Sequence, residues 1–218
     1  MKRALLPLLA ASLLLTACGV APGAAQPAAS GSDQTCTYRT TNNPAKAVDP
    51  PNGTGVPTTG TGVVTLTFAG GPVQITLDRA AAPCTANSFE SLAQQDFFTG
   101  TTCHRMSTGT YSFLQCGDPT GLGTGGPGYW FDDELAKTTS YTKGSVAMAN
   151  SGRNTNGSQF FLVFGDSPFA PNYTIFGHTD DAGVAVLAAM AAQGTDASES
   201  PTAGRPNADT KITAVAVG

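Results

Sequence analysis

Apolar and polar positions change their period along this chain. Over 63–68 (VVTLTF) and 73–77 (VQITL) they alternate in twos on either side of Ala69-Gly70-Gly71, the pattern of two strands joined by a glycine-containing turn. From Pro83 the period lengthens. Phe89, Leu92 and Ala93 stand at i, i+3 and i+4, and proline suits a first helical turn, so 83–95 is predicted to be an amphipathic helix. The runs 103–107, 111–116, 145–149, 158–164 and 173–177 read as further strands, and the glycine-rich 117–128 reads as a long loop. Asp181 suits the cap of a second helix with Val184, Leu187, Ala188 and Ala191 on one side and Gly194 at its end. The run KITAVAV, 211–217, alternates again as a closing strand. This pattern predicts a mainly β fold. Its expected form is a closed eight-stranded antiparallel β-barrel capped by two α-helices, which leaves no unpaired edge.

Strand parity adds a functional expectation. Over 158–164, Gln159, Phe161 and Val163 share one face, while Phe160, Leu162 and Phe164 share the other. Both faces are largely apolar. One is expected to fill the barrel, and the other to line an outside groove that holds an amide and an aromatic ring. His104 and Arg105 point to opposite faces by the same rule.

Composition narrows the class. The 218 residues include 26 Gly and 15 Pro, carry a formal charge of −4, and are 12% charged, about half the usual fraction. This argues against a helix bundle, and an acidic chain is not expected to bind nucleic acid. The first residues change the picture further. Lys2 and Arg3 precede an apolar stretch, Leu5 to Leu15, that is shorter than the ~20 residues a bilayer span needs. Leu15-Thr16-Ala17-Cys18 resembles a bacterial lipobox. Residues 1–17 are therefore expected to be a lipoprotein signal peptide, with Cys18 lipidated and the protein extracytoplasmic, anchored to a bacterial membrane. Residues 18–61 read as the lipidated cysteine, a flexible tether and an irregular extension that wraps the domain loosely; the domain proper is 62–218.

Cys36, Cys84, Cys103 and Cys116 form an even set in an exported chain, which suggests two disulfides. Sequence does not choose among the three pairings, and Cys84–Cys103 with Cys36–Cys116 is the one preferred here. The cysteines lack C-x-x-C spacing, and the chain has neither H-E-x-x-H nor G-x-S-x-G. Gly121, Gly123 and Gly126 spell G-x-G-x-x-G, yet Pro127 follows at once and no helix begins there. The loop reads instead as a backbone platform. No metal or cofactor is expected.

Three stretches carry a resemblance: CHRMSTGTYSFLQCGDPTGLGTGGPGYWFDDE (103–134), SVAMANSGRNTNGSQFFLVF (145–164) and PNYTIFGHT (171–179). In their order and spacing they resemble the cyclophilins, peptidyl-prolyl cis-trans isomerases, most of all bacterial exported members. The resemblance covers 62–218. It implies a capped barrel and X-Pro isomerase activity without cofactor or covalent intermediate. The implied partners are proline-containing peptides and unfolded or exported proteins, and a monomer is expected. It also implies roles for residues. Arg105 is the catalytic donor and Gln115 orients it. Ala149 and Asn150 hold the substrate backbone, with Gln159 facing the same groove. Phe113, Phe161, Phe169 and Tyr173 grip the proline ring. His104 lies inward as a core or orienting residue, while His178, after Gly177 at a strand end, reads as structural from its position alone.

The sequence departs from the family pattern in two places. Ser112, between Tyr111 and Phe113, stands where an aromatic is usual, which leaves open the ring that completes the pocket. Pro168 replaces a tryptophan tied to cyclosporin contact and Tyr173 replaces the family's pocket histidine, which implies weak cyclosporin binding with isomerase activity kept. Two rival readings are a non-catalytic module that holds proline segments in the same groove, and an envelope lipoprotein whose tether matters most.

Overall fold

The computed structural model describes Met1 and residues 33–218. Cys18, the signal peptide and most of the tether lie outside the described residues. In chain order the elements are β1 (Arg39–Thr40), β2 (Thr61–Phe68), β3 (Gly71–Asp78), α1 (Pro83–Gln94), β4 (Arg105–Thr108), β5 (Ser112–Cys116), β6 (Tyr129–Trp130), β7 (Ser145–Met148), β8 (Phe160–Gly165), β9 (Ile175–Thr179), α2 (Asp181–Ala191), β10 (Ala203–Gly204) and β11 (Ala214–Val217). The protein is mainly β with two helices.

The strands form one nine-stranded antiparallel sheet, ordered β10-β4-β5-β8-β7-β9-β3-β2-β11, and a separate β1–β6 pair. This corrects the closed eight-stranded barrel. The free edge of β4 is taken by β10 (Ala203 opposite Ser107), so the last strand pairs with β2 alone. Only the segments that lead into β4 and β11 touch, at a lone bridge, Thr102–Lys211, flanked by Cys103 N–H to Thr210 C=O (3.2 Å) and Ile212 N–H to Thr101 C=O (2.9 Å).

The predicted alternation of β2 and β3 is found. Val64, Leu66 and Phe68 on one strand, and Val73, Ile75 and Leu77 on the other, are buried in the main core. Helix α1 buries Phe89, Leu92 and Ala93 against that core, with the Phe89 ring edge-on to Phe160 at 5.0 Å. Helix α2 is capped by Asp180, whose carboxylate accepts from Gly183 N–H (2.8 Å). Asp181, the expected cap, is the first helical residue instead. The buried side of α2 carries Gly183, Val184, Leu187 and Met190, while Ala188 is exposed.

Residues 36–61 are stitched down rather than loosely wrapped. Tyr38 donates to Cys84 C=O (2.7 Å), and its ring packs edge-on against Tyr129 and Phe131. Arg39 pairs with Asp132 (2.8 Å) and lies over Trp130, and Val56 is buried. The disulfides are Cys36–Cys84 and Cys103–Cys116, which corrects the preferred pairing. Cys103 and Cys116 lie on adjacent antiparallel segments beside the β4–β5 ladder, with Cα atoms 4.0 Å apart. Cys84, at the start of α1, faces the N-terminal extension.

Helix α1 lacks a capping side chain of its own, since Ala82 stands at the N-cap. Glu134 supplies the cap from elsewhere in the chain. Its carboxylate accepts from Cys84 N–H (3.0 Å), Thr85 N–H (2.8 Å) and the Thr85 hydroxyl (2.7 Å), satisfying donors that a helix start leaves unpaired. Glu134→Ala is expected to cost about 2 kcal/mol, the scale of a lost cap with charged hydrogen bonds. Urea unfolding will show this as a lower midpoint at unchanged slope. An unchanged midpoint contradicts the capping role.

Candidate active site

Strand β8 has the two-sided character read from its parity. Phe160 and Leu162 join the main core. Phe161 and Val163 face the other way and join Phe113, Tyr141 and Ala147 in a second cluster, covered by Ala149, Phe169, Tyr173 and Ile175. Phe169 sits 5.4 Å from Phe161 and 5.5 Å from Phe113, and Phe161 is edge-on to Tyr173 at 5.5 Å. Beneath them lies Tyr141, which sequence reasoning missed because it is a single aromatic in a polar run. Its hydroxyl donates to Tyr173 C=O (2.8 Å) and accepts from Tyr173 N–H (2.9 Å), clamping the loop before β9 onto the cluster.

The β4–β5 register sets Arg105 opposite Gln115 and Ser107 opposite Phe113. The Arg105 guanidinium lies 5.1 Å over the Phe113 ring. Beside it opens a hollow of about 510 Å³ lined by Arg105, Tyr111, Phe113, Phe169, Tyr173 and Glu199. The question raised by Ser112 is answered by an irregularity between Ser112 and Phe113, which pair with Gly165 and Val163. The extra residue is Phe164 on β8; the Ser112 hydroxyl donates to Gly109 C=O (3.1 Å), and two rings stand at the hollow. Phe113 lies under Arg105, and Tyr111 stacks on Phe169 at 4.6 Å.

Gln115 stands opposite Arg105, and among the described residues no hydrogen bond joins the two side chains. The Gln115 amide donates to Gln159 Oε1 (3.0 Å), and Gln159 in turn donates to Gly125 C=O (3.0 Å). The side chain that holds Arg105 is Glu199, which takes Nε–H with both carboxylate oxygens at 2.9 and 2.7 Å. Sequence reasoning missed Glu199 because it lies in a polar stretch without period. A second, polar hollow of about 310 Å³ is bounded by Gln115, Ala149, Asn150, Gln159 and the glycine loop. Asn150 donates to Asn172 C=O (3.0 Å) and accepts from Gly152 N–H (3.2 Å), which fixes the backbone at this boundary. The named residues thus fall into two groups that meet where Arg105 faces Gln115. Arg105, Phe113, Phe169 and Tyr173 line the aromatic hollow, with Phe161 packed under it. Gln115, Ala149, Asn150 and Gln159 line the polar one.

Residues 63–217 match the family model described as cyclophilin type peptidyl-prolyl cis-trans isomerase/CLD. The chain belongs to the cyclophilin-type isomerase family. Similar relatives are the probable peptidyl-prolyl cis-trans isomerases B of Mycobacterium tuberculosis and Mycobacterium leprae. The first is 43% identical over 190 residues, covering 79% of this chain and 61% of the relative. The second is 45% identical over 164 residues, covering 69% and 56%. The match thus spans about three-fifths of the length of these cyclophilins. A crystal structure of a Cryptosporidium parvum cyclophilin-type isomerase is 28% identical, with a TM-score of 0.64 over 73% of this chain and 98% of that one. A second structure of that cyclophilin was determined in the presence of the dipeptide Ala-Pro, with a TM-score of 0.63 over 72% and 98%.

The loop that walls the polar hollow of this cyclophilin domain is organised by Asp118. The fully buried carboxylate accepts N–H groups from Thr120 (2.7 Å), Leu122 (3.2 Å), Thr124 (2.9 Å) and Gly123. A Cβ on Gly125 would stand 2.1 Å from Asp118 Oδ1, so that position admits only glycine. Burial pushes the Asp118 pKa up, but hydrogen bonds from Thr120, Gly125 and Gly123 outweigh it and hold the carboxyl below its ordinary value. His104 is buried beside this loop, and neither ring nitrogen has a partner among the described residues. Burial lowers its pKa, and the pull of Asp118 the other way is smaller. His178, by contrast, is exposed on β9.

Both shifts carry the same sign for stability. Each folded pKa lies below the unfolded one, so the unfolded chain takes up the proton first as the medium is acidified. The His104 contribution is complete above about pH 6.5 and is lost as pH falls through its folded value; the Asp118 contribution follows below about pH 4. Urea midpoints are expected to be level from about pH 8 to 6.5 and then to fall in these two stages. His104→Gln is expected to remove the first stage and keep the second. A wild-type midpoint that stays level to about pH 4.5 contradicts this assignment.

Proposed function

We propose that this domain catalyses cis-trans isomerisation of X-Pro bonds by holding a guanidinium beside a hollow that grips proline. The carrying observation is the placement of Arg105, with its face on Phe113, its Nε on Glu199, and the aromatic hollow alongside. Rotation about a peptide bond crosses ~18–20 kcal/mol because twisting breaks amide resonance. In the twisted state the imide nitrogen regains its lone pair and becomes a better acceptor. A fixed cationic donor then binds the twisted state more tightly than either planar one, which lowers the barrier. The terminal nitrogens of Arg105 supply that donor. The proline ring packs among Phe113, Phe161, Phe169 and Tyr173, while Ala149, Asn150 and Gln159 hold the flanking backbone. No bond is made or broken and no proton is moved. The Ala-Pro dipeptide used with the C. parvum cyclophilin supports a ligand of this class.

We infer a setting outside the cytoplasm, with the chain held to a bacterial membrane by lipid on Cys18. The lipobox residues and the two disulfides support this, since disulfides persist in oxidising compartments. The substrates are then proline segments of exported proteins that have yet to fold. Cys18→Ala is expected to move the protein from the membrane to the soluble fraction with isomerase activity unchanged. Retention in the membrane fraction contradicts the anchor.

One observation favours a second reading. Arg105 is already engaged by a carboxylate, as suits a module that holds proline segments without turning them over. A protease-coupled assay on an Ala-Pro peptide separates the two. Catalysis predicts that Arg105→Ala lowers kcat/KM about 100-fold or more, the effect of losing one preorganised donor. Equal rates in wild type and variant favour the binding module. By the family resemblance Pro168 stands for the tryptophan tied to cyclosporin contact and Tyr173 for the pocket histidine, so inhibition by cyclosporin is expected to be weak. Tight, stoichiometric inhibition overturns that expectation.

A further inference from the structure

We propose that Glu199 is a positioning residue for Arg105, presented by a turn built onto the same strand. The inference rests on the isomerase reading for what Arg105 does. An arginine side chain is long and loses its fork geometry unless its plane and its rotation are both fixed. The Phe113 ring fixes the plane. It leaves the guanidinium free to turn within that plane, and Gln115, directly opposite, turns its NH2 group to Gln159 and makes no hydrogen bond to Arg105 among the described residues. Glu199 fixes the rotation. It takes Nε–H with both oxygens, while Nη1 and Nη2 have no protein partner among the described residues. The anchored edge therefore leaves the other donors for a bound ligand.

The turn is held for this purpose from both sides. Glu199 N–H and Ser200 N–H both donate to Ala203 C=O at 3.1 Å, closing it. Its return limb, β10, pairs with β4 (Gly204 opposite Met106), and Thr108 N–H donates to Thr202 C=O at 2.8 Å. The strand that carries Arg105 thus also carries the turn that carries Glu199, so the two side chains move as one body. At the base, the Asp196 carboxylate accepts from Ser198 N–H (3.0 Å) and Arg205 N–H (2.8 Å). A Cβ at Gly204 would lie 2.2 Å from Asp196 Oδ1, so the close approach requires glycine. Both ends of the Arg105–Glu199 pair are about two-fifths exposed, and an exposed ion pair adds little stability. Its effect is on geometry.

The test uses the full chain. Glu199→Ala is expected to lower kcat about 10-fold on an Ala-Pro peptide, with KM and the thermal midpoint little changed, the size of loss a misplaced catalytic group produces. Glu199→Gln keeps an acceptor for Nε–H and is expected to stay within about twofold of wild type. In an Arg105→Ala background, Glu199→Ala should add no further loss, because its effect passes through that side chain. The NMR signal of Arg105 Nε–H gives a readout that needs no turnover. It should exchange slowly with water in wild type and Glu199→Gln and be lost in Glu199→Ala. If wild type and Arg105→Ala prove equally inactive, the isomerase reading falls, while this signal still decides the positioning claim. Unchanged turnover in Glu199→Ala, an equal loss in the Arg105→Ala background, or an unchanged Nε–H signal overturns the proposal.

Discussion

A guanidinium lying flat on a phenyl ring keeps its full charge and its in-plane donors, because the ring attracts the cation through its face and takes none of the N–H groups. Arg105 sits this way on Phe113, with its Nε edge on Glu199. Much of the surrounding structure serves this contact. Beside the β5–β8 register shift Phe113 stands at the hollow, and Tyr111 stacks on Phe169 next to it. The Cys103–Cys116 bridge ties the two segments just outside the Arg105–Gln115 pair. The short β10 closes the edge of β4 and brings in the carboxylate.

The sheet is apolar on both faces over β8, and this divides the work. The inner face, with Phe160 and Leu162 against Phe89 and the rest of the main core, holds the fold. The outer face, with Phe161 and Val163, is the floor of a small second core whose upper side stays open. An aromatic cluster packed from below and clamped by Tyr141 presents a hollow of fixed shape, which on the proposed reading leaves little ordering for a proline ring to cost. The polar hollow is set in the same way. The Gln115–Gln159–Gly125 chain of hydrogen bonds and the Asp118 carboxylate lock the glycine loop against the strands.

Sequence revealed those parts of this arrangement that repeat. Alternation located β2 and β3, the helical period located α1, and strand parity separated Phe161 from Phe160. Family motifs named Arg105 and most of the residues found around the two hollows. What escaped has no period to read. Strands of two residues such as β1, β6 and β10 exist because a neighbour offers them an edge. Glu199, Glu134 and Tyr141 act across long chain separations, from stretches that look like ordinary polar loop. Disulfide pairing followed the approach of Cys36 to α1, where the half-buried Tyr38 also hydrogen-bonds to Cys84 C=O. The cap of α2 was missed by one residue because Asp180 and Asp181 are both suitable, and backbone geometry makes the choice.

The central claim is that a fixed, planar donor at Arg105 eases the twisting of an X-Pro bond, beyond supplying positive charge near it. Exchange NMR on an Ala-Pro peptide with catalytic amounts of protein tests this most directly, comparing wild type with Arg105→Lys. Lysine keeps the charge and loses the fork. The account predicts that the variant still binds the peptide while cis-trans exchange slows by about 10-fold or more. Exchange as fast with lysine as with arginine would contradict it.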